Sequence, residues 1–120
     1  MAAEFQGRTA VITGGASGVG RCLCELFARQ GMNVVMADVE ATALDQSAAA
    51  LREQGLEVTP VQADVTSPES MAALEQASRD AYGNVHILCN NAGVGIKEAQ
   101  RRMWTLTPND WDWGFGVNVM

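Results

Sequence analysis

A glycine-rich segment near the start of the chain separates two apolar stretches of different periodicity. It reads Thr-Gly-Gly-Ala-Ser-Gly-Val-Gly over residues 13–20. The small and β-branched residues 9–13 before it predict a strand, and Leu23, Leu26 and Phe27 after it predict one apolar face of a helix. Glycine adopts positive φ and has no side chain, so such a turn lets an anion approach a helix N-terminus. The segment therefore predicts a phosphate-binding turn between strand and helix, the alternative being a plain glycine-rich turn.

The rest of the chain repeats this alternation of strands and helices. Further strands are predicted at Val34–Ala37, Val58–Gln62 and Val85–Cys89. One helix is predicted around Leu44, Ala48 and Leu51, and a last one from about Pro108. Between them, Ser67-Pro68-Glu69 predicts the start of a helix that carries Met71, Leu74, Ala77 and Ala81. A β-α-β-α-β-α-β order implies a parallel sheet with helices on both faces. The usual doubly wound order is 3-2-1-4, and Pro60 agrees, because a proline strand belongs at a sheet edge.

Composition narrows the classes of partner. The 120 residues fit one domain, and a net charge of -6 disfavours binding to the phosphate backbone of nucleic acid. No apolar run has the length of a membrane span and no signal peptide is visible, so we expect a cytoplasmic protein without membrane contact. Cys22 and Cys24 are separated by one residue, a spacing that points them apart on a helix, and with Cys89 they are expected to be reduced structural thiols rather than metal ligands.

The spacing of the glycines resembles one family. It is neither G-x-G-x-x-G nor a P-loop, but Thr-Gly-x-x-x-Gly-x-Gly is similar to the pattern of the classical short-chain dehydrogenases/reductases, and the resemblance runs from about Phe5 to Met120. It implies an α/β fold, a Rossmann-type doubly wound parallel sheet, over residues 1–120. It also implies that Gly14, Gly18 and Gly20 line a pyrophosphate, with Ser17 near the phosphate or the adenosine ribose and Val19 in the same site.

Asp38 ends the second predicted strand, 18 residues after Gly20. A carboxylate at that position accepts hydrogen bonds from the adenosine ribose hydroxyls and repels a 2′-phosphate. The neighbouring Val39, Ala16 and Ser17 carry no charge that would pair with an extra phosphate. We therefore expect NAD rather than NADP as the cofactor; the alternative is an acid that caps the following helix.

Two further segments resemble the family's cofactor site. Asp64 and Val65 follow the third strand, where the family meets the adenine ring, although Asp64 alone reads equally well as a turn residue. Asn90-Asn91-Ala92-Gly93 is similar to the family's N-N-A-G element. The resemblance implies that Asn91, Ala92 and Gly93 lie near the cofactor, that Asn90 is more structural, and that asparagines tie neighbouring strand ends together. Turn chemistry alone is the other explanation of this element.

The catalytic residues of that family are only partly matched. Asn118 matches the active-site asparagine, whose backbone carbonyl is expected to hold a water in a proton relay, and Trp111 and Phe115 are expected to pack within the helix. The family also needs a serine and a Tyr-x-x-x-Lys pair, but Tyr82, the one tyrosine, is followed four residues later by His86. His86 is interpreted as a strand-edge residue, and Lys97 is the one lysine.

We therefore expect the cofactor-binding N-terminal part of an oxidoreductase that transfers hydride between nicotinamide and an alcohol or carbonyl substrate. On this hypothesis the 120-residue segment is inactive alone, and the full-length form is a homo-oligomer, a dimer or tetramer. Two alternatives are a non-catalytic dinucleotide-binding protein and an S-adenosylmethionine-dependent methyltransferase; the loop spacing argues against the latter. Arg101 and Arg102 would attract an acidic substrate or form a solvated basic turn.

Overall fold

The computed structural model describes residues 2–93 and 107–118. The elements are α1 (Ala2–Phe5), β1 (Thr9–Thr13), α2 (Gly18–Arg29), β2 (Asn33–Asp38), α3 (Ala41–Glu53), β3 (Val58–Gln62), α4 (Pro68–Tyr82), β4 (Ile87–Cys89) and α5 (Pro108–Asn118). Lys97, Arg101 and Arg102, considered above for catalysis and substrate attraction, lie outside the described residues. The short helix α1 was not predicted from the sequence.

The four strands form one parallel sheet in the order β3-β2-β1-β4. The predicted architecture and strand order are confirmed. Pro60 lies opposite Met36 of β2 on the outermost strand, where its missing N–H costs no ladder bond to a further strand. Parallel strands all end at the same edge, so the segments after β1, β2, β3 and β4 meet there.

Alternate side chains of the sheet point into two cores, as the period of a strand requires. Ile12 and Met36 belong to a cluster with residues of α2 and α3, whereas Val11 and Val35 pack with Leu74 of α4. Helices thus cover both faces of the sheet, which is the layer arrangement that the strand-helix alternation predicts.

The predicted apolar face of α2 is confirmed for Leu23 and Phe27, which pack against the core, but not for Leu26. Leu26 is 53% exposed, and the buried residues are Gly20, Cys24 and Ala28, which are four apart. Small side chains allow the helix axis to lie close to the sheet, so the larger Leu26 is turned outward. On α4, Ala81 is likewise exposed rather than buried.

The fourth strand is shorter than predicted. It starts at Ile87, and His86 precedes it at the sheet margin, where its backbone N–H donates to Thr9 O at 2.9 Å. Its Nδ1 accepts the backbone N–H of Thr9 at 3.0 Å. These bonds support the interpretation of His86 as a strand-edge residue.

The start of α4 follows the predicted signal. Ser67 is the N-cap, its Oγ accepts the backbone N–H of Ser70 at 3.1 Å, and Pro68 occupies the first helical position. None of the described helices has the length and apolar character needed to cross a membrane.

Candidate functional site

A cleft of about 450 Å³ opens at the carboxyl edge of the sheet. It is lined by Thr13, Gly14, Ser17, Val19, Ala37, Asp38, Val39, Glu40, Ala63, Asp64, Val65, Asn91, Ala92, Gly93, Trp113 and Val117. Nine of these were predicted as cofactor-binding residues, namely Gly14, Ser17, Val19, Asp38, Asp64, Val65, Asn91, Ala92 and Gly93. The strand ends bring together segments that are far apart in the sequence, at the place where open α/β sheets bind ligands.

The glycine-rich turn has the backbone geometry that its composition predicts. Gly14 and Gly18 adopt φ of +66° and +57°, values that side-chain-bearing residues rarely take. Ser17 is the N-cap of α2 in an extended conformation, and within the described part of the chain its side chain makes no capping bond. The N-terminus of α2 therefore keeps backbone N–H groups available for an anion in the cleft.

Gly20 lies beneath this turn rather than in the wall of the cleft. A Cβ on Gly20 would lie 2.0 Å from the carbonyl oxygen of Gly14 and 2.5 Å from Nδ2 of Asn91. The absence of a side chain lets α2 approach the end of β1. Direct contact of Gly18 and Gly20 with a diphosphate stays a prediction, since neither is among the residues that line the cleft.

Thr13 and Asn91 join the ends of β1 and β4. The Thr13 hydroxyl accepts the backbone N–H groups of Asn91 and Ala92 at 3.1 and 3.0 Å and donates to the carbonyl of Cys89 at 3.3 Å. The Asn91 side-chain amide donates to the Thr13 carbonyl at 3.1 Å. The tie between strand ends expected of the asparagines therefore falls on Asn91, while Asn90 is exposed.

Asp38 links the end of β2 to the glycine-rich turn. Its Oδ2 accepts the backbone N–H of Ala16 at 3.1 Å, and its Oδ1 accepts that of Glu40 at 3.0 Å. The second bond closes a turn just before α3: it reaches the N-cap residue Glu40 and no N–H of the first helical turn, so it is not the capping role considered from the sequence. Each carboxylate oxygen can accept more than one hydrogen bond, so these bonds leave Asp38 able to meet a ligand hydroxyl.

Asp64 and Glu40 add two more acidic groups to the lining of the cleft. Oδ1 of Asp64 accepts the hydroxyl and the backbone N–H of Thr66 at 2.7 and 2.9 Å. These two hydrogen bonds, the first more than the second, hold the pKa of the Asp64 carboxyl below its ordinary value. Among the described residues that line the cleft, none is basic.

Helix α5 forms the wall opposite the strand ends. Trp113 and Val117 line the cleft, and Oδ1 of Asn118 lies 3.2 Å from the position of a Cβ on Gly93. Trp111 and Phe115 stack with ring centroids 5.9 Å apart, so their predicted packing within the helix is confirmed. Asn118 thus lies next to the N-A-G turn, and its catalytic role stays a prediction.

Tyr82 lies at the other end of the sheet. Its hydroxyl lies 2.6 Å from Oγ1 of Thr59 and donates to Glu57 at 3.0 Å, near the start of β3. Burial raises the pKa of Tyr82 above its usual value, which opposes its use as a base. It therefore ties α4 to β3, as expected for a residue outside the active site.

The cysteines lie as their spacing predicts. Cys22 is exposed and Cys24 is buried, so they point to different sides of α2, and no disulfide joins the three. Burial raises the pKa of the Cys24 thiol to about 12. Among the described residues, no cluster of three or more His, Cys, Asp and Glu side chains is arranged to hold a metal ion.

Sequence reasoning missed several residues of the site. Trp113 and Val117 are four residues apart, a spacing that could have placed both on one helix face, but only the structure shows which face meets the cleft. Ser47 was also missed: it is buried on α3 and donates to the carbonyl of Ala16 at 2.7 Å. No local signal in α3 indicates that contact.

Comparison with known proteins gives a consistent result. The model of the family described as short chain dehydrogenase matches residues 8–120. A 1-deoxy-11-beta-hydroxypentalenate dehydrogenase from Streptomyces exfoliatus is 49% identical over 91 residues, 76% of this chain and 33% of that protein. A CLA biosynthesis dehydrogenase/reductase from Lactiplantibacillus plantarum is 32% identical over 98% of this chain and 40% of that protein.

Solved structures also match over nearly the whole chain. The crystal structure of a short chain dehydrogenase/reductase from Burkholderia phymatum, in complex with NAD, superposes with a TM-score of 0.91 at 46% identity. The superposition covers 97% of this chain and 40% of the Burkholderia phymatum chain. The chain thus spans between a third and two-fifths of the length of these relatives.

Proposed function

The chain belongs to the short chain dehydrogenase family, and we propose that it forms the cofactor-binding part of an NAD-dependent oxidoreductase. Bound NAD would supply or accept a hydride at its nicotinamide ring, exchanging it with an alcohol or carbonyl substrate. The observation that carries the proposal is the cleft itself, because a glycine turn, a helix N-terminus and a strand-end carboxylate meet in one place.

The residues present fit a dinucleotide. A diphosphate would be held by backbone N–H groups at Ser17 and the start of α2, which requires no basic side chain. Asp38 would accept hydrogen bonds from the adenosine ribose, and Asp64 and Val65 would meet the adenine. Ala92 and Gly93 would lie along the cofactor beyond the diphosphate. The relative from Burkholderia phymatum, which binds NAD, supports a nicotinamide dinucleotide in this cleft.

The charges of the cleft favour NAD over NADP. Asp38, Glu40 and Asp64 line it, and no basic residue among the described ones does. A 2′-phosphate beside Asp38 would meet repulsion that a free ribose hydroxyl does not. We therefore propose NAD as the preferred cofactor.

Catalysis would need groups besides those described above. Asn118, beside Gly93, would contribute its backbone carbonyl to a proton relay. Tyr82 is occupied by Thr59 and Glu57 far from the cleft, so the general acid or base would be another residue. We propose that polypeptide corresponding to the part of the relatives that this chain does not span supplies it. On its own the 120-residue chain would bind NAD without turnover, and the complete oxidoreductase would act as a dimer or tetramer.

The test is calorimetric titration of the chain with NAD, NADP and S-adenosylmethionine. The expected result is saturable binding of NAD, weaker binding of NADP and no binding of S-adenosylmethionine. Absence of NAD binding would refute the proposal, and tighter binding of NADP would refute the cofactor preference. Hydride transfer to NAD from an alcohol by this chain alone would refute the proposed division of roles.

A further inference from the structure

Ala16, in the middle of the glycine-rich turn, is held on three sides. Its N–H donates to Oδ2 of Asp38 at 3.1 Å, and its carbonyl accepts the hydroxyl of Ser47 at 2.7 Å. Its methyl group is buried in the core cluster that also contains Leu44 and Ala48 of α3. The turn is therefore fixed both to the end of β2 and to the middle of α3.

Ser47 is a polar residue in an apolar place. It is 4% exposed on the face of α3 that also buries Leu44, Ala48 and Leu51. Burying a hydroxyl without a partner costs free energy, so its bond to Ala16 accounts for its presence there. That bond joins residues 31 apart in the sequence.

The bond also fixes the direction of a neighbouring N–H group. The carbonyl of Ala16 and the N–H of Ser17 belong to the same planar trans peptide, so they point in opposite directions. Holding that carbonyl toward α3 turns the Ser17 N–H away from α3. Ser17 lines the cleft and is the N-cap of α2.

We propose that Ser47 is a positioning residue for the diphosphate, acting through the Ala16–Ser17 peptide. Asp38 fixes the peptide between Gly15 and Ala16. Ser47 fixes the next peptide, between Ala16 and Ser17, whose N–H would face the anion. This inference rests on the proposed function of the cleft. It gives the two residues separable effects, because Asp38 also meets the ribose directly whereas Ser47 acts through the turn that faces the diphosphate.

Ser78 provides a matched control. It is 0% exposed on α4 and donates to the carbonyl of Leu74 at 2.8 Å, within its own helix and away from the cleft. Ser47→Ala and Ser78→Ala therefore each remove one buried serine-to-carbonyl bond. Only the first bond lies on the glycine-rich turn.

The experiment measures binding of NAD and of adenosine to the full chain by calorimetry, with adenosine as the ligand that lacks a diphosphate. Ser47→Ala is expected to weaken NAD binding by about five- to thirtyfold, the effect of losing one buried hydrogen bond. Adenosine binding should change by much less, Ser78→Ala should bind both as the wild type does, and Ser47→Thr should restore NAD binding. Equal losses for NAD and adenosine, or no loss for NAD, would overturn the proposal.

A second measurement needs no ligand. Native-state hydrogen exchange should show lower protection of the Gly15 and Ala16 amides in Ser47→Ala, but not in Ser78→Ala. Unchanged protection in Ser47→Ala would overturn the positioning role. Absence of NAD binding by the wild type would instead refute the proposed function, and hydrogen exchange would still test the positioning role in that case. If Ser47→Ala does not fold, Ser47→Cys keeps a side-chain atom at the γ position but makes it a weaker donor, and it is judged by the same criteria.

Discussion

Thr13 and Asn91 exchange hydrogen bonds across the ends of β1 and β4: the Thr13 hydroxyl accepts the Asn91 backbone N–H at 3.1 Å, and the Asn91 amide donates to the Thr13 carbonyl at 3.1 Å. The two residues are 78 positions apart in the sequence. The pair fixes one end of the cleft, since Gly14 and Ala92 follow Thr13 and Asn91.

Thr13→Val should destabilise the fold by about 2 to 3 kcal/mol, because the backbone N–H groups of Asn91 and Ala92 lose their acceptor. Thr9, at the other end of β1, is the control. Its buried hydroxyl oxygen has no hydrogen-bond partner among the described residues, so Thr9→Val should change the free energy of unfolding by less than about 0.5 kcal/mol or increase it. Urea denaturation measures both, and equal losses in the two variants would contradict the assignment.

Gly20→Ala should lower the free energy of unfolding by at least about 3 kcal/mol, because its Cβ would lie 2.0 Å from a backbone oxygen. Gly114→Ala in α5 is the comparison, as a Cβ there meets nothing within 4 Å. That substitution should be neutral or stabilise by up to about 1 kcal/mol. Denaturant unfolding separates the two, and a stable Gly20→Ala protein would show that α2 does not need this close approach.

Asp38→Asn should shift the preference from NAD toward NADP by about tenfold, equivalent to about 1.4 kcal/mol, because the negative charge beside a 2′-phosphate is lost. Asp45→Asn, an exposed acid on α3 that does not line the cleft, removes the same charge elsewhere. Its ratio of the two dissociation constants should remain that of the wild type. An unchanged ratio in Asp38→Asn would argue against ribose recognition by Asp38.

Trp113→Ala should weaken NAD binding by about two- to tenfold, the effect of losing one aromatic contact in the cleft. Trp111→Ala should leave NAD affinity unchanged, since Trp111 stacks on Phe115 and does not line the cleft. Fluorescence titration with NAD gives the affinities. Equal affinities of the two variants would place Trp113 outside the binding site.

Cys24 should make stability fall above pH 9. Burial raises the pKa of its thiol to about 12 in the folded chain from 9.0, so the unfolded chain releases this proton first as the pH rises. The contribution of the buried Cys24 thiol to the free energy of unfolding is therefore complete below pH 9 and is lost progressively up to about pH 12. At pH 10 the loss is about 1 kcal/mol. Thermal unfolding from pH 8 to 10 should thus decline more steeply for wild type than for Cys24→Ala. Parallel declines in the stability of the two proteins would contradict a buried thiol. Other titrating groups, Tyr82 included, are present in both proteins and cancel when the two pH profiles are subtracted.

The helices show why local patterns predict the fold better than the burial of single residues. Ser67-Pro68-Glu69 fixes the start of α4 because capping depends only on the adjacent backbone. The exposure of Leu26 depends on how closely α2 approaches the sheet, which Gly20, Cys24 and Ala28 set together. That approach is a property of two elements, so the periodicity of one helix does not reveal it.

The sequence by itself determined the parallel sheet, its order with β3 at an edge, and the glycine-rich turn after β1, because propensity, spacing and crossover handedness act locally or by general rule. Only the tertiary structure decided which groups hold that turn. Ser47 on α3 and Asp38 at the end of β2 meet at Ala16 through hydrogen bonds whose partners lie 31 and 22 residues away. Such bonds depend on the packed distance between elements, a quantity that no single segment encodes.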